Sequence, residues 1–355
     1  MKSPPLPTLR GRGTPWNPRN RFEQLHVDRS CWHDPDDPAP QTLLLNDTTR
    51  SILSRNESPD VGFDVGLNPY RGCSHGCSYC YARPSHEYLG FSAGLDFETR
   101  IAVKEDAPRL LREALSSASW RPRVIGLSGN TDPYQPAERR LRVTRRCLEV
   151  LAEFRNPVSI VTKSYLATRD LDLLRELATH NAVSVVLSIT TLRNDLQSSM
   201  EPRAATPARR LGAIRVLADS GIPVGVNVAP IIPGLTDHEL PAILQEAAAA
   251  GATFAGHILL RLPWGMKDIF TEWLRRHQPD RKEKVLNRIR AMHGGRLYDA
   301  HFERRGRGTG PWADQVGRLF DVSARQLGLG PPPKLSVAAF TIPLRERGPQ
   351  IDLFS

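Results

Sequence analysis

From about residue 61 the chain alternates between two hydrophobic rhythms. Short apolar, β-branched runs recur at Val124–Leu127, Val158–Val161, Val183–Ile189, Val224–Val228 and Phe254–Leu260. Between them, Ala107–Ala118, Glu138–Phe154, Leu171–His180, Pro207–Ser220 and Glu239–Ala250 place apolar residues three and four apart. The first pattern predicts buried strands and the second predicts amphipathic helices. Successive strands start 25 to 41 residues apart, the length of a βα repeat with parallel strands. Asp106 and Thr206 stand where helix caps are expected, Pro108 and Pro207 fall in first-turn positions, and Gly221 and Gly251 follow helix ends. A further strand just ahead of Cys73 completes six βα units. The expected fold class is therefore α/β, a partial (β/α)6 TIM-type barrel, whose chemistry sits in loops at the C-terminal ends of the strands.

The ends follow other rules. Residues 1–60 are rich in Pro, Arg, Asp and Asn with no sustained period, and read as an irregular N-terminal arm. The core spans 61–270. In the basic extension 271–355, residues 271–292 read as one charged helix and Trp312–Leu327 as another. Pro331-Pro332-Pro333 then precedes a possible last strand, Leu335–Ile342.

Charge alters this picture at one end. The chain has 355 residues, 48 basic and 38 acidic, for a net charge of +10. Of that excess, 18 basic against 10 acidic residues, or +8, lie in 261–355. A basic end suits a polyanionic partner such as nucleic acid; a solvated arginine-rich face is the plain alternative. No apolar run approaches the roughly 18 residues of a membrane span, and Met1 is not followed by a basic-then-apolar secretory signal. A cytoplasmic protein without membrane contact is expected.

Three of the five cysteines fall within eight residues, in Gly72-Cys73-Ser74-His75-Gly76-Cys77-Ser78-Tyr79-Cys80-Tyr81. Gly72 and Gly76 allow a tight curl that brings three thiolates together. Soft thiolates select zinc or an iron–sulfur cluster. Zinc would need a fourth ligand, which His75 or His86 can supply; a [4Fe–4S] cluster held by Cys73, Cys77 and Cys80 would keep one iron open.

This C-x3-C-x2-C loop, with an aromatic before its last cysteine and ahead of a βα series, resembles the radical S-adenosylmethionine (SAM) superfamily over roughly 62–270. Within it the chain is most similar to the spore-photoproduct-lyase-like group, also described as DNA-repair-photolyase-like. Tyr79-Cys80-Tyr81 matches that group's Tyr-Cys-Tyr, and Thr131-Asp132-Pro133-Tyr134-Gln135-Pro136 its Thr-Asp-Pro-Tyr-Gln-Pro. The resemblance implies a [4Fe–4S] cluster whose open iron chelates SAM, reductive cleavage of SAM to a 5′-deoxyadenosyl radical, and a flavodoxin- or ferredoxin-like electron donor. It implies cofactor contacts from Tyr79, Gly129, Thr131, Asp132, Lys163 and Ser188, and a catalytic radical-relay role for Tyr81. Each has a plain structural alternative: Lys163 a loop lysine, Ser188 a strand hydroxyl, Asp132 a turn cap before Pro133, Tyr81 an aromatic wall. Glu201-Pro202-Arg203 and Pro230-Ile231-Ile232-Pro233-Gly234 complete the family pattern.

One departure bears on the substrate. The lyase uses a cysteine near the second strand as hydrogen-atom donor, whereas Leu127-Ser128-Gly129-Asn130-Thr131 here holds no thiol, and Cys147 falls mid-helix. Damaged DNA leads the substrate classes; protein, RNA or a small molecule follows, and a non-catalytic metal-containing nucleic-acid or clamp-binding protein is the alternative from another class. The stretch 298–310 mixes Arg304, Arg305 and Arg307 with Tyr298 and Phe302, suited to phosphates and bases. Finally, Gln350-Ile351-Asp352-Leu353-Phe354 resembles the bacterial sliding-clamp-binding peptide, with Gln350, Leu353 and Phe354 as its anchors.

Overall fold

The structure is a computed structural model that describes residues 9–23 and 40–343. Ten strands run in chain order: β1 (Leu43–Asn46), β2 (Leu53–Arg55), β3 (Val65–Leu67), β4 (Tyr70–Arg71), β5 (Arg100–Val103), β6 (Ile125–Leu127), β7 (Val158–Thr162), β8 (Val183–Ser188), β9 (Val224–Ile231) and β10 (Phe254–Leu259). The main sheet has the order β10-β9-β8-β7-β6-β3-β2. From β3 to β10 all neighbours are parallel, which gives the six expected βα strands; β2 adds an antiparallel edge. The inner strands are apolar along nearly their whole length because helices or side chains cover both faces.

Two larger hydrophobic cores result among the described residues, beside a small third cluster of Cys73, Ala82 and Phe97. One lies between sheet and helices and includes Leu111, Leu148, Leu151, Leu174, Leu217 and Leu244. The other lies at the C-terminal ends of the strands, where Cys77 and Tyr79 share a core with Met200, Ile232, Leu235, Leu262, Trp273 and Ile289. The helices Met266–His277 and Lys282–Met292 thus close over the cysteine loop.

Several expectations are corrected. The stretch expected to be an irregular arm contains β1 and β2; β1 pairs with β5, itself unforeseen, in a small sheet β1-β5-β4. The helix expected over 138–154 breaks at Arg142, whose φ is 53°. The Glu138 carboxylate causes the break by accepting the first-turn amides of Thr144 (2.9 Å) and Arg145 (3.2 Å), groups a continuous helix would have bonded internally. Residues 271–292 form parts of two helices, separated by Pro279. Leu335–Ile342 forms no strand. Gly330 takes the free edge of β10 instead, and Ser336 and Thr341 donate to the carbonyls of Asn181 and Phe154 at the ends of helical segments. Thr206 caps its helix as expected, but Asp106 makes no cap hydrogen bond and pairs with Arg109 at 3.2 Å. No helix among the described residues is long and apolar enough to cross a membrane.

Candidate active site

At the C-terminal ends of the strands a cavity of about 260 Å³ opens. Its walls include Cys73, Cys77 and Cys80, with Tyr79 and Tyr81 of the same loop. Gly129, Thr131 and Asp132 from the loop after β6, Lys163 after β7 and Ser188 at the end of β8 complete the predicted set. The cavity thus gathers the residues to which the resemblance gives a cluster, cofactor or radical-relay role. A wider groove of about 510 Å³ between the helices Lys282–Met292 and Pro311–Gln326 holds none of them.

The cysteine loop is held by long-range hydrogen bonds. The Gln135 side chain accepts from the Ser74 amide at 3.0 Å and donates to the Gly72 carbonyl at 3.2 Å. Cys73 N–H donates to Phe97, Ser78 N–H to Met200, and Arg203 N–H to the His75 carbonyl. Arg83, fully buried, donates to the Cys77 carbonyl at 2.9 Å and pairs with fully buried Glu98. Glu98 in turn accepts the amides of Gly13 (3.0 Å) and Thr14 (3.1 Å). This straps residues 12–14 across the loop so tightly that a Cβ on Gly13 would fall 1.6 Å from the Gly76 carbonyl. Gly76 itself turns with φ 70°.

Asp132 is the next brace. Its carboxylate accepts from Thr162 Oγ1 (2.7 Å), the Lys163 amide (2.8 Å) and the Tyr134 amide (2.9 Å), and lies 3.3 Å from His75 Nδ1. Burial pushes its carboxyl up, but His75 and these donors prevail and hold it at about 2. Burial pulls the His75 imidazolium down, and Asp132 and Cys73 outweigh it, raising it to about 9. Asp132 therefore ties the cysteine loop to the end of β7 while also capping the turn before Pro133. Behind Tyr79, Glu201 accepts from the Tyr79 hydroxyl, Thr190 Oγ1 (2.9 Å) and Arg210, and Arg210 donates to the Ser188 carbonyl at 2.9 Å.

Other polar groups on the cavity are less engaged among the described residues. The Lys163 ammonium makes no hydrogen bond or ion pair among the described residues and stands 5.8 Å from the Tyr79 ring. Arg261, just after β10, lies over the Tyr81 ring at 4.6 Å and carries a buried, unbonded Nε. Asn227 on β9 has a buried, unbonded Oδ1. Tyr81 hangs at the mouth, 43% exposed, and its hydroxyl donates to the Gly129 carbonyl at 2.6 Å.

Burial and the neighbouring Glu201 push the Cys77 thiol up; burial and Cys73 do the same to Cys80. The thiols are thus near enough to feel one another. Among the described residues no group of three or more His, Cys, Asp or Glu side chains is arranged to hold a metal ion. His75 is engaged with Asp132, and His86 sits between Phe91 and Phe97, neutral because burial pulls it down to about 4.

Cys147 lies in the first core, away from the cavity, with its thiol pushed up by burial. Ser128 occupies the loop after β6 in a left-handed conformation, φ 137°. In the 298–310 stretch, Arg305 pairs with Asp60 and Arg304 with Asp299, whereas Arg307, and Arg296 just ahead of the stretch, carry no ion pair among the described residues. Gln350, Leu353 and Phe354 lie outside the described residues.

Residues 67–247 match the Radical SAM superfamily, and the chain belongs to it. The superfamily's cofactors are a [4Fe–4S] cluster and SAM. An uncharacterized protein of Mycobacterium tuberculosis is 41% identical over 233 residues, covering 65% of this chain and 67% of its own. A protein of Pseudomonas phage M6, described as a radical SAM Nalpha-GlyT isomerase, is 24% identical over 186 residues, 52% of this chain and 36% of its own. Among solved structures, spore photoproduct lyase complexed with dinucleoside spore photoproduct superposes with a TM-score of 0.59 over 81% of this chain and 80% of the lyase, at 16% identity. The lyase comparison shows a shared fold.

Proposed function

We propose that this radical SAM enzyme acts on nucleic acid, with Cys73, Cys77 and Cys80 as the cluster ligands. One observation carries the reading: three thiols, two cations that make no direct ion pair among the described residues and a tyrosine hydroxyl share one cavity at the strand ends. When bound, the cluster and SAM supply one-electron cleavage of the cofactor and a 5′-deoxyadenosyl radical that takes a hydrogen atom from substrate. Lys163 holds the cofactor's carboxylate, Ser188 and the backbone around Gly129 and Thr131 line its bed, and Tyr79 backs it. Asp132 acts as a brace through Thr162 and Lys163. Arg261, stacked on Tyr81 at the mouth, is left to meet an anionic group of the substrate, and phosphate fits it. Tyr81 stands in for the missing thiol: on leaving its bond to the Gly129 carbonyl its O–H gives a hydrogen atom to a substrate radical, and one electron from the external donor with a proton from solvent returns the tyrosyl radical to tyrosine.

Support for the nucleic-acid class comes from the lyase fold, solved with a dinucleoside photoproduct. The basic end of the chain agrees. An external one-electron donor is required, and binding of a sliding clamp through Gln350, Leu353 and Phe354 rests on their motif, to be checked by deleting 350–355. The substrate class is tested with DNA carrying deuterium in its thymine methyl groups, irradiated or modified. Deuterium in the 5′-deoxyadenosine formed supports the reading. Cofactor cleavage that neither intact nor damaged DNA or RNA stimulates or labels would turn it toward protein or small-molecule substrates.

A further inference from the structure

We propose that Phe22, Tyr88 and Trp264 form a stacking platform for unpaired bases beside the cavity mouth, an inference that rests on the nucleic-acid reading above. These rings come from three distant segments, the N-terminal arm, the 3-10 helix after the cysteine loop and the loop after β10. They are 54%, 69% and 55% exposed, among the largest apolar exposures of the described residues. The Arg21 guanidinium lies 5.0 Å from the Phe22 centroid and 4.3 Å from that of Trp264, and Phe22 meets Tyr88 at 4.9 Å. Scattered apolar residues are ordinary on a surface; rings from three segments interleaved with a guanidinium are not.

The patch is tied to its surroundings by side-chain contacts. Arg21 is fixed to Glu87 at 2.6 Å. The Asn20 side chain donates to the carbonyls of Glu87 and Phe91 and accepts the Phe22 amide at 2.7 Å. Trp264 adopts φ 45°, a left-handed conformation that a bulky residue takes only at a cost. Its neighbours Leu262 and Met266 are fully buried while its own ring faces water.

The chemistry favours bases over an apolar protein surface. Arg21 is neutralised by Glu87, so the platform presents ring faces without net charge, while Arg19 and Lys267 beside it carry no ion pair among the described residues and can meet phosphates. Stacking on aromatic rings with flanking cations is how single strands are held irrespective of sequence. The location agrees as well. Trp264 is three residues from Arg261 on the cavity wall, at most about 11 Å along the chain, roughly three stacked nucleotides at 3.4 Å each.

The test uses full-length, cluster-reconstituted protein and fluorescence anisotropy of labelled 12-nucleotide DNA, RNA and duplex DNA. Trp264→Ala and Tyr88→Ala are each expected to weaken single-strand binding about tenfold, and Trp264→Phe to keep most of it; iron content and melting temperature report folding. Losses on both single-strand arms support the platform, and the arm that wild type binds more tightly identifies the strand. Wild-type binding that both alanine variants retain overturns the platform and leaves the nucleic-acid reading intact. A wild type that binds no strand overturns both. A Trp264→Ala variant that dissociates a dimer yet binds strands normally also overturns the platform, showing the patch to be a self-association surface.

Discussion

Around one cavity, the cysteine loop and the strand ends treat charge differently. On the loop and its supports, Arg83 meets Glu98, His75 meets Asp132, and Arg210 meets Glu201, all but one of these side chains buried. At the strand ends, Lys163 and Arg261 line the cavity with no direct ion pair, and Asn227 Oδ1 has no donor, among the described residues. Buried charges persist when paired, because an uncompensated one costs several kcal/mol. The paired set is therefore scaffold, holding a loop that carries three thiols; the unpaired set is where the proposed ligands would bind. The two sets answer different mutations.

The largest effect is expected from Glu98→Ala. It leaves Arg83 buried without its anion and frees the amides of Gly13 and Thr14, so unfolding in urea should show a loss of about 3–5 kcal/mol, with less iron retained after reconstitution. A variant as stable as wild type would remove the strap from the account. Lys163→Ala should do the reverse. Its stability should stay within about 0.5 kcal/mol of wild type, while SAM affinity, read by equilibrium dialysis, falls about tenfold, the worth of a charge-assisted hydrogen bond. Stability loss without an affinity change would place Lys163 among the braces.

Asp132→Asn probes a brace by pH. Asp132 is depressed from 3.8 to about 2, so its contribution is present above 3.8 and lost as pH falls through about 2. His75 is raised from 6.5 to about 9, so its contribution is complete below 6.5 and lost as pH rises through about 9. The stability gap between wild-type and variant metal-free protein should be widest between about pH 4 and 6.5, of order 1–3 kcal/mol, and close toward both extremes. A gap independent of pH contradicts the pair. The smallest effect concerns the rim: Trp264→Gly removes a left-handed tryptophan and should raise stability by about 0.5–1 kcal/mol in the same urea assay, less whatever the Arg21 contact contributes.

Much of this was legible in the chain. The six parallel strands follow from runs such as Val183–Ile189, and Lys163 and Ser188, singled out by the family resemblance, stand where such strands end. Arg261 follows a strand end in the same way, and Asn227 is a polar residue inside the apolar run Val224–Val228; both signals were readable. The strap was not. Gly13 and Gly76 are 63 residues apart, Gly13 and Glu98 are 85 apart, and no periodicity reports a close approach made across such a loop. The break at Arg142 likewise depends on where the Glu138 carboxylate points, and β1 is a strand only because β5 lies beside it.

The central claim is that the braced loop holds a [4Fe–4S] cluster competent to cleave SAM. The direct measurement is iron and sulfide content of anaerobically reconstituted protein, followed by 5′-deoxyadenosine formation on adding dithionite and SAM, in wild type and Cys77→Ala. The account predicts about four irons per chain and 5′-deoxyadenosine from wild type, with both lost in the variant. One tightly held zinc, or no cofactor cleavage with any reductant, would contradict it.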